Sequence, residues 1–277
     1  MSGSLRSIPA SFDEATVAAI DGRIEEVRRE HRVAIGLAIE SGSRAWGFPS
    51  PDSDYDCRFV FLRRIEDYLS PWPRRDVIET PLDGALDVNG WDLAKALRLL
   101  LKGNAVIVEW LMSPIAYAGD AAFRDELLAL AAAHADRAGT ARHYLHLGEG
   151  QRRTYFASGK PVALKKIFYA LRPAAALRWL RLHPGAQVAP MHFPTLVSEA
   201  DVPPALAALV GELMERKAVT RELGSGPLPP EVDPFVASEF ALARESVPPR
   251  SPAPSPAARE AAEAFFRRWV ERLGASA

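Results

Sequence analysis

Gly42-Ser43-Arg44-Ala45-Trp46-Gly47-Phe48-Pro49-Ser50-Pro51-Asp52-Ser53-Asp54-Tyr55-Asp56-Cys57-Arg58 is the stretch on which the fold turns. An apolar run from Val33 to Ile39 reads as a buried strand that stops at the Gly-Ser turn, and a second apolar run, Phe59 to Leu62, follows the aspartates. If Tyr55 to Leu62 is a strand, Asp54 and Asp56 point to the same face, because side chains alternate with a period of two. Two carboxylates side by side repel each other unless a cation sits between them. Oxygen-rich sites with few carboxylates suit Mg2+ (or Mn2+), above all when substrate phosphates complete the coordination. Gly42 lets the chain turn tightly, and the amides of Gly42, Ser43 and Arg44, opening a short helical turn, form a concavity that fits a triphosphate. Ser43 adds a hydroxyl and Arg44 a planar cation to the same phosphates.

The rest of the chain sets limits. Its 277 residues, 48% of them hydrophobic, suffice for one large or two modest domains with a real core. Lys and Arg number 34 against 35 for Asp and Glu, so the whole chain carries no nucleic-acid coat. The distribution is uneven. Between Arg137 and Gly185 stand ten basic residues, Lys160 among them, against the single acid Glu149, so this segment carries +9 and the remainder −10. That asymmetry points to a polyanion, a nucleotide triphosphate or an RNA backbone; the alternative is a basic face paired with acids elsewhere in the fold. Cys57 is the only cysteine, which excludes an internal disulfide and favours a reducing, cytoplasmic setting. No signal-peptide pattern opens the chain and no apolar run is as long as a membrane span, so a soluble intracellular protein is expected.

In chain order, Ser11 and Glu14 have capping-box spacing, and Val17, Ile20, Ile24 and Val27 fall at helical intervals, predicting a first helix of about four turns. Trp46 and Phe48 are expected to anchor their loop by burial. A short helix near Glu66 to Leu69 precedes the proline-broken Pro71-Trp72-Pro73. Asp76 to Thr80 and Ala85 to Asn89 read as strands joined by a Pro81-Leu82-Asp83-Gly84 reversal. Asp87 lies in the second, between Leu86 and Val88, where a lone carboxylate is expensive to bury and otherwise faces out of an exposed sheet. Asp92 and Asn104 are predicted N-caps, with Gly103 between the two helices. Glu109 reads as a hydrogen-bonding structural acid as readily as a functional one.

From Ala121 the pattern is helical: Thr140 to Ser158, then Pro161 to Leu182, where Leu164, Ile167, Phe168 and Leu171 form the buried stripe. Lys165, Tyr169 and Arg172 share a neighbouring face, a cation–aromatic–cation groove able to hold a triphosphate and a base, with Pro173 bending or interrupting the helix there. His143 and His146 lie three apart, but no Cys or acidic triplet joins them into a zinc site. Pro203 to Glu222 and Asp233 to Arg244 are further helices. The proline-rich Val247 to Pro256 is a spacer, and Ala257 to Leu273, with Phe265, Phe266 and Trp269, docks on the body or on a second subunit.

Gly42-Ser43, ten residues, then Asp54-Tyr55-Asp56 resembles the signature of the DNA polymerase beta-like nucleotidyltransferase superfamily. The longer form, Gly42 to Gly47 through Ser53 to Asp56 and Arg58-Phe59, is similar to the bacterial branch named for an association with RNA ligases (RlaP, or YcgL-like). Asp87 to Leu93 and Lys102 through Leu111 match more loosely, and Cys57 stands where that branch is expected to carry valine. The resemblance implies an α/β (α+β) fold, a small mixed palm-like sheet with a helical C-terminal half. The expected division is 1–118 catalytic, 119–246 helical, and 247–277 a linker with a terminal helix. It further implies transfer of NMP from ATP or another NTP to a hydroxyl acceptor, with release of pyrophosphate. Asp54 and Asp56 would hold the metals, and Asp87 would join them and draw the proton from the acceptor. Gly42 and Ser43 would seat phosphates, with Arg44, Lys165 and Arg172 as charge partners. RNA ends, in RNA repair, are the foremost acceptor; the alternatives are a protein hydroxyl receiving AMP, and an antitoxin-type binding module that keeps the fold for interaction.

Overall fold

Asp13 sets where the chain first becomes regular. In the computed structural model, which describes residues 3–156, 161–221, 223–249 and 253–274, its carboxylate accepts the Thr16 N–H at 2.8 Å and the Thr16 hydroxyl at 2.6 Å. Helix α1 (Glu14–His31) therefore opens on Asp13, and the Ser11–Glu14 capping box expected from spacing does not form. Ile20, Ile24 and Val27 turn into the core as their spacing predicts.

Strand β1 (Ala34–Glu40) leads into a one-turn helix, α2 (Gly42–Trp46), and β2 (Tyr55–Leu62) returns antiparallel to β1. After α3 (Ile65–Leu69), β3 (Val77–Glu79) and β4 (Leu86–Asp92) form a hairpin, and β4 runs parallel to β2. Asp92 ends β4 and caps α4 (Leu93–Leu101) directly, its carboxylate accepting the Ala94 N–H at 2.8 Å. Asn104 caps α5 (Ala105–Met112) as predicted. The following β5 (Ala116–Gly119), which the sequence did not announce, adds to the free edge of β1. The sheet order is thus β3-β4-β2-β1-β5, mixed and five-stranded.

Both faces of this sheet are covered. The α1 face packs Ile24, Ile35, Phe59 and Val88 into one apolar cluster. The other face packs Leu37, Ile39, Val60 and Leu62 against α4, α5, α6 (Ala121–His134) and the terminal α12 (Pro256–Leu273). On α12, Phe265 and Trp269 meet Phe123 at ring separations of 5.5 and 5.2 Å. Hence the last helix docks on the sheet half of the same chain.

The remaining helices, α7 (Arg137–Tyr155), α8 (Ile167–Leu182), α9 (Phe193–Glu199), α10 (Pro204–Val219) and α11 (Val232–Ser246), surround a separate core, with β6 (Val162–Ala163) and β7 (Ser225–Gly226) as a small ribbon. Pro173 does not interrupt α8. A Cβ on Gly148 of α7 would stand 3.0 Å from the Pro173 ring and 2.3 Å from Phe240 of α11, so glycine at 148 admits all three helices to close contact. Among the described residues no helix is long and apolar enough to cross a membrane. Lys160 and the end of the Thr140 to Ser158 helix lie outside the described residues, as do Glu222 and the middle of the proline-rich spacer.

Candidate active site

Gly42 faces two demands at once. Its φ of +60° is a left-handed conformation that side chains resist. A Cβ there would also stand 2.1 Å from Asp56 Oδ2. Only glycine lets the turn lie against that carboxylate. Ser43 Oγ donates to Ser53 Oγ at 3.0 Å, and Ser53 Oγ accepts the Ser50 N–H at 2.9 Å, so three serines brace the loop between the turn and β2. Phe48 anchors that loop as expected, stacked on Phe168 at 4.6 Å and edge-on to Phe193. Trp46 is half-buried and lines the cleft described below.

Asp54 is exposed at the head of β2; Asp56, two residues on, is half-buried. The parallel register sets Asp87 directly beside Asp56. Arg58 Nη2 joins them, 3.1 Å from Asp56 Oδ1 and 2.6 Å from Asp87 Oδ2, while Nη1 donates to the Asp87 carbonyl at 2.8 Å. The Asn89 amide donates to the other Asp87 oxygen. Burial raises the proton affinity of Asp56 above the ordinary carboxylate range; Arg58 opposes this, and the charges of Asp87 and Asp54 add to it. Both neighbouring acids therefore act on Asp56.

A fourth carboxyl, not singled out from the sequence, lies beneath. Glu40 is fully buried at the end of β1, where Oε1 accepts the Asp56 N–H at 3.0 Å and Oε2 accepts the Tyr117 hydroxyl at 2.6 Å. Burial pushes Glu40 up to about 7, against the hydrogen bonds from Tyr117 and Asp56.

Gly42, Ser43, Asp52, Asp54 and Asp56 form one wall of a cleft of about 330 Å³. Lys165, Lys166, Tyr169, Lys217 and Arg221, all from the helical half, form the other. Lys166 sits between two rings, 4.8 Å from Tyr155 and 4.7 Å from Tyr169. Asp87 stands one strand away and does not line the cleft.

Two expected charge partners are placed otherwise. Arg44 turns back onto its own loop: Nη2 donates to the Ser53 carbonyl at 2.6 Å, Nε to the Asp54 carbonyl at 3.2 Å, and the guanidinium lies 3.8 Å over the Tyr55 ring. Arg172 is buried beneath the cleft in a two-pronged pair with Glu109 at 2.8 and 3.0 Å, its other face 4.1 Å from the Trp46 ring. Lys165 and Tyr169 reach the cleft, but Arg172, three residues further along α8, points into the core. Glu109 is thus a structural acid.

The basic segment dissolves in the same way. Arg152 pairs with Asp233, and Arg178 and Arg181 both pair with Glu239. Arg137 donates to the carbonyls of Leu180, His183 and Ala186, and Arg142 to that of Pro248. Among the described residues, what this segment presents to the site is Lys165 and Lys166.

Among the described residues no three His, Cys, Asp or Glu side chains cage a cation by themselves. The donors nevertheless fit a hard divalent ion. Asp54 and Asp56 supply carboxylate oxygens on the cleft wall, where a bound cation would relieve the repulsion between them; Asp87 lies within electrostatic reach of Asp56, with Arg58 bonded to both.

The model of RlaP, the RNA repair pathway DNA polymerase beta family, matches residues 17–268. The uncharacterized protein YcgL of Bacillus subtilis (strain 168) is 39% identical over 200 residues, 72% of this chain and 76% of that protein. With a match that takes in both the five-stranded sheet and the helical half, the chain belongs to the RNA repair pathway DNA polymerase beta family.

Proposed function

We propose that this protein is a divalent-cation-dependent nucleotidyltransferase that moves NMP from an NTP to a hydroxyl acceptor, foremost an RNA end, and releases pyrophosphate. One observation carries the reading: a single cleft has an acidic wall built on a Gly-Ser turn and a basic wall from the helices. A metal–triphosphate complex has the same division of charge. Gly42 and Ser43 would seat the β and γ phosphates with their amides and hydroxyl, and Lys165 lines the same cleft.

Asp54, Asp56 and Asp87 would hold Mg2+ or Mn2+, which when bound neutralises phosphate charge and polarises the reacting phosphorus. The acceptor oxygen forms a bond to the α-phosphorus as the bond to the bridging oxygen of pyrophosphate breaks. Asp87, its carboxylate oriented by Arg58 and Asn89, takes the acceptor proton. An RNA acceptor is supported by the family's RNA-repair description and by Lys166 between Tyr155 and Tyr169, a cation–aromatic surface of the kind that receives a nucleic-acid strand.

The test is to follow label from α-phosphate-labelled NTPs with Mg2+ or Mn2+ and, in turn, RNA, cell lysate or neither. Label on RNA supports the proposal. Label on a protein band would replace the acceptor with a protein hydroxyl, and label nowhere would favour a binding module.

A further inference from the structure

The cleft contains a buried cation, 5.2 Å from the Phe48 ring, that no carboxylate pairs with among the described residues. Lys217, near the end of α10, is 7% exposed. Its ammonium carries three N–H donors, and one of them is given to the Phe48 carbonyl at 2.6 Å. Among the described residues it forms no ion pair with a carboxylate. Holding a loop carbonyl needs only a neutral donor, and burying a full charge for that purpose is costly.

The groups that face Lys217 come from three other elements. Asp52, on the loop before β2, is the favourable one; Lys165, before α8, and Arg44, on α2, are unfavourable, and Arg221 shares the wall. Desolvation dominates, and the ammonium is brought down to about 8. The side chain lines the same cleft as Gly42 and Ser43.

We propose that Lys217 is a phosphate-binding residue that seats the polyphosphate tail of the nucleotide from the helical side of the cleft. This assignment rests on the nucleotidyl-transfer reading above. It names the contact by which the helical half recognises substrate, and it gives an acceptor to the two N–H groups that no described residue takes.

Calorimetric titration of the full chain with inorganic tripolyphosphate, without metal, tests the assignment. In K217Q the amide can still donate to the Phe48 carbonyl, so the fold should persist by circular dichroism while tripolyphosphate affinity falls about 10- to 100-fold. K217R, which keeps the charge, should retain most of the affinity. A phosphate beside Lys217 must also raise its proton affinity. At about pH 8.5, wild type titrated in two buffers of different ionisation enthalpy should therefore take up a fraction of a proton, and K217Q should not.

Tripolyphosphate binding to K217Q as tight as to wild type overturns the assignment, as does its absence in wild type or unchanged proton uptake. If K217Q fails to fold, wild type and K217R decide: no uptake by wild type overturns it. Normal NMP transfer by K217Q with an unchanged nucleotide KM sinks the role of Lys217 and leaves nucleotidyl transfer standing. Lys217-dependent binding without NMP transfer by wild type does the reverse.

Discussion

Replacing Arg172 by Met separates a structural arginine from a substrate-binding one. The guanidinium and the Glu109 carboxylate are each 7% exposed at the side chain and share two hydrogen bonds at 2.8 and 3.0 Å. Tyr144 donates a third to Glu109 Oε1 at 2.9 Å. Removing the arginine leaves a buried carboxylate with one hydroxyl partner and no counter-charge, which costs about 3–5 kcal/mol. Methionine fills most of the arginine's volume, so little of that loss is cavity, although the guanidinium contact with the Trp46 ring goes with the charge. Replacing both partners, Arg172→Met with Glu109→Leu, removes the orphaned charge and should recover most of the loss. Urea melts of the wild type, both single variants and the double variant give the cycle. A single variant that loses less than about 1 kcal/mol, or one of wild-type stability whose nucleotide KM rises tenfold, would refute the reasoning and return Arg172 to the substrate.

Asp54→Asn and Asp56→Asn should each lower NMP transfer by about 100- to 1,000-fold or more while far-ultraviolet circular dichroism stays that of the wild type; full activity in both would remove the acidic wall from the mechanism. Gly42→Ala places a methyl 2.1 Å from Asp56 Oδ2 at a φ of +60°, so a stability loss of about 1–3 kcal/mol is expected in a denaturant melt, with weakened Mn2+ binding. Glu40, raised to about 7 in the fold, resists ionisation that the unfolded chain undergoes near its ordinary 4.5. Its contribution is thus fully present below about pH 4.5 and is lost as pH rises toward 7, a decline of about 3 kcal/mol in the metal-free protein that Glu40→Gln should flatten. Trp269→Ala, at the fully buried contact between α12 and Phe123, should cost about 3–5 kcal/mol by the same melt, a cost that an undocked terminal helix would not show.

Strands β1 and β2 were legible because each is an apolar run bounded by turn residues, and the spacing of Asp54 and Asp56 carries its own meaning once β2 is a strand. Asp87 was legible as a carboxylate on a short apolar strand, and the parallel register puts it beside Asp56. β5 was not. Ala116-Tyr117-Ala118-Gly119 has little strand character of its own; it is extended because β1 offers a free edge, and because Ser7 bridges to Ala116 from the N-terminal segment.

Arg172 shows where periodicity stops. Lys165, Tyr169 and Arg172 fall at intervals of four and three, yet Lys165 precedes α8 in a 3₁₀ turn, so the three do not lie on one helical face. The partner that buries Arg172, Glu109, lies 63 residues earlier in the chain. Lys217 is subject to the same limit: a lysine in the last turn of an amphipathic helix reads as solvated, and Phe48, 169 residues away, is what makes it a wall of the site. Net charge over Arg137 to Gly185 could not choose between a polyanion and internal pairing for a related reason, since the counter-charges Glu109, Asp233 and Glu239 all lie outside that window.

The loop between Gly42 and Asp54 belongs to both halves of the molecule, and this decides what the helices are for. Phe48 is buried in the helical core, not among the sheet's apolar clusters, and Lys217 fixes its carbonyl. A Cβ on Gly47 would meet His192, just before α9, at 2.5 Å, so the helices close on the loop's backbone as well as on its side chains. A sheet half standing alone would expose Phe48 and lose every lysine that faces the aspartates. It would keep the acids of the cleft without the counter-charge that a triphosphate needs. The helical half is therefore part of the candidate site rather than an appendage, and changes that loosen α8 or α10 should appear in nucleotide binding before they appear in the sheet.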